Sequence, residues 1–186
     1  MSNIVKDIRG YPFAEEEKLF VDANVWYYIY GPTVKPEDRA FKKYYSNALE
    51  KIIKSKREIF IDVLVLSEFI NTYARYFHGK RFKNLPPHEK KDFKKYRSTE
   101  EFKREASLII NETKKIMKLS SRCNLDFEAT EIDLHLSEFE GCKSDFNDII
   151  YKDICKTNDF TLVTNDGDFK KCGIPILTAN SNLISQ

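Results

Sequence analysis

The sequence lacks the features of exported, membrane-spanning and zinc-binding proteins. No stretch of its 186 residues approaches the roughly 20 apolar residues of a membrane span. The first ten residues, MSNIVKDIRG, contain no apolar run of the signal-peptide type. The four cysteines form no C-x-x-C pair and the three histidines are scattered, so the close ligand spacing of a zinc site is missing. We therefore expect a cytoplasmic protein with free thiols and no membrane partner.

The charges are strongly segregated, although the net charge is only +2. Between Arg75 and Glu105, eleven Lys or Arg stand against five acids, whereas twelve Asp or Glu stand against three Lys between Asp126 and Asp168. A basic and an acidic segment would suit a polyanion bound beside a metal-dependent centre. Two solvated faces of opposite sign explain the pattern equally well.

Apolar runs and breakers predict one domain, residues 1–186, in which strands alternate with helices. The strands are expected at 18–22, 58–63, 160–164 and 175–178. The helices are expected at 23–30, 36–54, 66–77, 98–119, 128–140 and 145–156. The short strands show no in/out alternation, which is typical of strands buried on both faces. We predict an α/β fold with a central, mostly parallel sheet flanked by helices on both faces.

A basic stretch, residues 79–97, interrupts this alternation and loses periodicity around Pro86-Pro87. We predict a basic helical or loop insertion here. Its cations alternate with Phe82, Phe93 and Tyr96, a combination that suits single-stranded nucleic acid. The candidate contacts to nucleic acid are Lys80, Arg81, Lys90, Lys91, Lys94 and Lys95. The alternative is an exposed helical hairpin whose rings pack on the domain.

Carboxylates lie where the predicted strands end. Asp22 closes the first strand, Glu68 falls in the first turn of the helix after the second, and Asp166 follows the third by two residues. Asp148 lies on the helix that precedes the third strand, with Asp145 three residues earlier on the same face. Because parallel strands share one carboxyl edge, these acids are expected to converge there.

Converging carboxylates repel one another unless a cation or a proton relieves them. Oxygen ligands without His or Cys favour Mg²⁺ or Mn²⁺, and two such ions can promote hydrolysis of a phosphodiester. Each acid also has a purely structural interpretation. Asp22 could cap a helix, Glu68 could interact with a helix dipole, Asp148 could pair with Lys152, and Asp166 could shape a turn.

Three segments together resemble the PIN-domain nucleases. LFVDANVWYYI resembles the family's opening motif, VLVLSEFINTYAR its second, and SDFNDIIYKDICKTNDFTLVTNDGDF its third and fourth. The resemblance covers most of residues 18–178 and excludes 79–97. It implies a metal-dependent ribonuclease with catalytic, metal-site residues Asp22, Glu68, Asp148 and Asp166. It also implies supporting roles for Asn24 and Thr164, and it leaves open those of the extra acids Asp145 and Asp168.

Many small PIN proteins are toxins of type II toxin–antitoxin pairs, similar to the VapC group. The resemblance therefore raises an antitoxin or a second copy of the chain as partners. Two rival classes remain open. One is a PIN-like module that binds RNA or protein with vestigial acids. The other is a different carboxylate-site protein, such as a receiver or a phosphatase, although D-A-N after the first strand disfavours a D-x-D phosphatase.

Overall fold

The computed structural model describes residues 4–13, 16–123, 125–126, 128, 130–141 and 144–185; Cys142 therefore lies outside the described part. Within those residues, one sheet contains six strands. The strands are β1 (Val5–Asp7), β2 (Leu19–Val21), β3 (Ile59–Ile61), β4 (Ser121–Arg122), β5 (Thr161–Val163) and β6 (Ile176–Thr178).

Eight α-helices are found in the described residues, and they surround the sheet. The helices are α1 (Ala23–Tyr30), α2 (Pro36–Lys54), α3 (Val63–Phe82), α4 (Phe93–Tyr96), α5 (Glu100–Leu119), α6 (Ile132–Glu140), α7 (Phe146–Asn158) and α8 (Ser181–Ile184). No helix in the described part of the chain is long and apolar enough to cross a membrane.

The sheet has the order β1-β6-β5-β2-β3-β4, and every pairing is parallel. This confirms the predicted α/β class. The central strands are buried along their length: Leu19, Phe20 and Leu162 have no solvent exposure. Such strands are apolar on both faces because helices cover the sheet, which is why their sequences show no alternation.

The second strand is shorter than predicted, and this changes the position of Glu68 within the helix that follows. The strand ends at Ile61, and Asp62 accepts a hydrogen bond from the amide of Leu64 at 2.8 Å, which caps α3. An aspartate inside an apolar run was the available signal, since it suits an N-cap far better than a buried strand. Helix α3 therefore begins at Val63, and Glu68 lies in its second turn rather than its first.

Smaller differences concern the ends of the chain and of its helices. The edge strands β1 and β4 and the short helix α8 were not predicted. Helix α5 begins after Thr99, which accepts a hydrogen bond from the amide of Phe102, so Ser98 is not the cap. Helix α6 starts at Ile132 rather than at residue 128, and residue 129 lies outside the described part.

The basic stretch 79–97 is a packed structure rather than a loose loop. Helix α3 continues into it as far as Phe82, and a 3-10 turn (Pro87–Glu89) and α4 follow. Phe82 and Tyr96 are buried, and their rings meet edge to face at 5.6 Å. The expectation that these two rings stack on bases is therefore wrong, because they are covered by the protein itself.

Two glycines provide a matched test of local packing. A Cβ at Gly31, where α1 ends, would lie 2.4 Å from the backbone oxygen of Tyr27, whereas a Cβ at Gly79 would meet nothing within 4 Å. We expect Gly31→Ala to lower the free energy of unfolding by about 1–3 kcal/mol, because the backbone must shift. Gly79→Ala should raise the free energy of unfolding by about 0.5–1 kcal/mol, because alanine has fewer backbone conformations than glycine in the unfolded chain. Urea denaturation of both variants measures these changes; equal effects would contradict the assigned backbone of α1.

Candidate active site

Asp22 is the most enclosed acid of the site, with 3% of its surface exposed. It follows β2 directly and caps α1. Its Oδ1 accepts from the backbone amide of Asn24 at 3.2 Å, and its Oδ2 accepts from the Asn24 side chain and the Thr164 hydroxyl, each at 2.6 Å. The structural role proposed for Asp22 as a helix cap is thus correct. The same bonds fix its carboxylate at the carboxyl edge of the sheet.

The loop after β5 is tied to Asp22 through the same residues. The hydroxyl of Thr164 accepts from the amide of Asp166 at 3.0 Å, and the side-chain oxygen of Asn24 accepts from the amide of Asn165 at 3.1 Å. Asp166 in turn accepts from the amide of Asp168 at 2.9 Å, which forms the predicted turn. Hydrogen bonds therefore join the turn to the acidic centre (Asp22, Glu68, Asp148 and Asp166). Asp168 is exposed at the outer side of the turn.

Tyr45, which was not predicted as a site residue, supports this loop. The Tyr45 hydroxyl, on α2, lies 2.8 Å from the side-chain oxygen of Asn165 and 3.1 Å from the backbone oxygen of Thr164. It also accepts from the amide of Ala179 at 3.0 Å. In the sequence, Tyr45 lies among the apolar residues of the predicted helix 36–54. A buried tyrosine hydroxyl usually has a polar partner, and this was the signal that could have identified it.

Glu68 and Asp148 approach the centre from helices α3 and α7. Glu68 accepts a hydrogen bond from the hydroxyl of Tyr151 at 3.0 Å, a partner that the sequence did not reveal. Asp148 lies in the first turn of α7 and is half-buried, whereas Asp145 occupies the N-cap position and is exposed. The predicted pairing of Asp148 with Lys152 is wrong, because the Lys152 ammonium contacts Glu138 instead.

The acids perturb one another electrostatically. Burial raises the pKa of Asp22 to about 7, and the charges of Glu68 and Asp166 add to this while the hydrogen bonds from Thr164 and Asn24 oppose it. Burial also raises the pKa of Asp148 to about 7, and the charges of four neighbouring acids add to this shift: Asp22, Asp166, Asp145 and Glu68. The structure thus brings together all four acids predicted for the site, with Asp145 beside them.

The donor set is made of oxygen atoms only, which suits a hard divalent cation. The carboxylates disfavour one another's charge, so a cation among them would relieve a repulsion that the structure already contains. Among the described His, Cys, Asp and Glu residues, no three side chains are yet arranged to coordinate a single ion. The residues fit a divalent metal by the chemistry of their donor atoms.

The cations of the basic stretch differ in their contacts. Arg81 forms an ion pair with Glu101 at 3.3 Å, Lys95 lies 3.7 Å from Asp92, and the Lys80 ammonium lies over the ring of Tyr76. The other three predicted contacts to nucleic acid are exposed on the surface of the stretch: Lys90, Lys91 and Lys94.

A family model described as the PIN domain matches residues 19–174. The chain belongs to the PIN domain family. The match covers all four acids at the edge of the sheet and confirms the resemblance of the three sequence segments. PIN domains are generally nucleases, so this fold is of a nuclease type, and the receiver and phosphatase alternatives are excluded. No curated protein matches the chain.

The raised pKa values predict how stability depends on pH without metal. Both acids have an ordinary pKa of 3.8 and a folded pKa of about 7, so the folded protein binds more protons than the unfolded chain between these values. The melting temperature in EDTA should therefore fall as the pH rises from 4 to 7. Asp148→Asn should reduce this fall and raise the melting temperature at pH 8, since it removes one of the repelling charges. An unchanged pH profile in Asp148→Asn would show that Asp148 keeps its ordinary pKa.

Proposed function

We propose that this protein is a metal-dependent ribonuclease that hydrolyses phosphodiester bonds within RNA. The observation that carries the proposal is the position of the four PIN-domain acids at one edge of the sheet, where burial and the charges of neighbouring acids raise the pKa of Asp22 and Asp148 to about 7.

The proposed metal ligands are the carboxylates of Asp22, Glu68, Asp148 and Asp166, and the proposed metal is Mg²⁺ or Mn²⁺. When bound, such ions activate water for attack on phosphorus and stabilise the leaving oxygen. The protein's own groups orient the ligands. Asn24 and Thr164 hold the Asp22 carboxylate at 2.6 Å each, and Tyr151 donates to Glu68. Asp145 and Asp168 are exposed and add negative charge at the rim of the site.

The basic stretch supports RNA as the substrate. Its cations Lys80, Arg81, Lys90, Lys91, Lys94 and Lys95 are exposed, and the buried rings of Phe82 and Tyr96 hold the backbone beneath them. Such a surface suits phosphates, whose binding releases counterions. Because those two rings are buried, we assign the stretch to phosphate contact rather than to base stacking.

The first prediction from this proposal separates cleavage from binding. The wild-type protein should cleave single-stranded RNA in Mg²⁺ or Mn²⁺ and stop in EDTA. Asp148→Asn should lower the cleavage rate at least 100-fold, because the amide keeps the shape but not the charge that holds the ion. RNA affinity should remain nearly unchanged, measured by fluorescence anisotropy.

The matched control is Asp159→Asn, which makes the same substitution at the exposed, opposite end of α7. Asp159 has a left-handed backbone with φ of 55°, which asparagine accepts readily. It should cleave RNA at the wild-type rate. Full cleavage by Asp148→Asn, or undiminished cleavage after exhaustive metal removal, would contradict the assignment and favour a module with vestigial acids.

The second prediction concerns the basic stretch. Replacing Lys90, Lys91 and Lys94 by Ala should weaken RNA binding and reduce the salt slope by up to about 2, since each phosphate contact on a single strand contributes roughly 0.7. The control replaces three lysines that are equally exposed on α2 and α5: Lys51, Lys114 and Lys118. If both triple variants change the slope equally, the effect is one of net charge, and the stretch is not the RNA-binding surface.

A further inference from the structure

A cavity of about 210 Å³ opens beside the acidic centre, between α1, α2 and α3. Its walls include Asn24 and Glu68, which belong to the centre, and the two neighbouring tyrosines Tyr27 and Tyr28. Asn24 therefore forms the boundary between the cavity and Asp22, to which it donates at 2.6 Å. The volume is below the roughly 300 Å³ of small-molecule sites, so it suits one ring system rather than a whole nucleotide.

The charge of the cavity excludes phosphate. The residues that the structure shows lining it include the carboxylates of Asp38 and Glu68, and none of them is Lys or Arg. A phosphate group would be repelled there, whereas a neutral ring with hydrogen-bond donors would not. The part of a nucleotide that fits this cavity is therefore the base.

The aromatic rings of the cavity are held by neighbours on the protein side. The Tyr27 ring meets Phe69 and Tyr73 edge to face, with centroids 6.4 and 5.9 Å apart. The Tyr28 ring stacks on Tyr45, with centroids 5.9 Å apart and an interplanar angle of 13°. Rings fixed in this way provide contact area for a base at little cost in side-chain entropy.

Asp38 gives the cavity a means to distinguish bases. Its Oδ2 accepts from the amides of Val34 at 3.1 Å and Lys35 at 2.8 Å, which holds the carboxylate at the wall of the cavity. A fixed carboxylate only accepts hydrogen bonds, so it favours bases that present amino groups. Uracil presents carbonyl oxygens at the corresponding positions and would place them against a negative charge.

We propose that this cavity, the tyrosine pocket (Asn24, Tyr27, Tyr28, Asp38, Glu68 and Thr72), binds the nucleobase next to the scissile phosphate and prefers bases with an exocyclic amino group over uracil. The inference rests on the proposed ribonuclease function, because it places the phosphate of the same nucleotide at the metal site that the neighbouring carboxylates are proposed to form.

The sharpest test compares cytosine with uracil, which differ by an amino group in place of a carbonyl. Fluorescently labelled oligocytidylate and oligouridylate of equal length are titrated with the Asp148→Asn protein in EDTA, so that no cleavage is needed. Oligocytidylate should bind about tenfold more tightly, the discrimination of one good hydrogen-bonded base contact. Asp38→Asn in the same background should bring the ratio close to one, since its amide can donate to the uracil carbonyl.

The matched control is Glu37→Gln, the neighbouring residue on α2, which is exposed and does not line the cavity. It removes the same charge and should leave the tenfold ratio unchanged. Equal affinities for the two oligomers, or the same loss of preference in both variants, would overturn the tyrosine pocket. Equal affinities would overturn the pocket even if Asp38→Asn does not fold, because that comparison uses only the Asp148→Asn protein.

The failure of the pocket can be distinguished from the failure of the proposed function. Cleavage of both oligomers by the wild-type protein in Mn²⁺, without any cytosine preference in binding, would contradict the pocket alone. A cytosine preference that depends on Asp38, without cleavage in Mg²⁺ or Mn²⁺, would contradict the nuclease proposal and leave base recognition standing.

Discussion

Repulsion among carboxylates is the constraint on which the rest of this site depends. Asp22, Glu68, Asp148 and Asp166 reach one edge of the sheet from four chain segments, and burial limits the water that could screen them. The two most affected acids have pKa values of about 7. Protons can relieve such a group at low pH, and above neutral pH a bound cation is the available alternative.

The fold holds the most enclosed of these acids, Asp22, in place. The Asp22 carboxylate accepts from both Asn24 and Thr164, which joins the ends of β2 and β5. Tyr45 joins the same loop to the end of β6 through the amide of Ala179. A frame tied to three adjacent strands holds Asp22 in place, which is the preorganisation that the proposed metal site would require.

Much of this arrangement could be predicted from the sequence, and the missing parts have physical causes. Long apolar runs identified the central strands, and the parallel topology then placed Asp22 and Asp166 at one edge. The edge strands, VKD and SR, carry no hydrophobic pattern. The predicted second strand included Asp62, which caps α3 in the structure. The role of Tyr45 depends on a partner more than 100 residues away in the sequence. The local sequence does not identify such a partner, although a tyrosine on a buried helix face indicates that its hydroxyl has one.

The uptake of a divalent cation with release of protons tests the central claim most directly. Isothermal titration calorimetry of the metal-free protein with Mn²⁺, in buffers of different ionisation enthalpy, measures both quantities. We predict binding near pH 7 with release of about one proton, because Asp22 and Asp148 are each about half protonated there. The release should vanish at pH 9, where both are already charged. Absence of binding, or binding without proton release at pH 7, would contradict the account of a cation held by mutually repelling carboxylates.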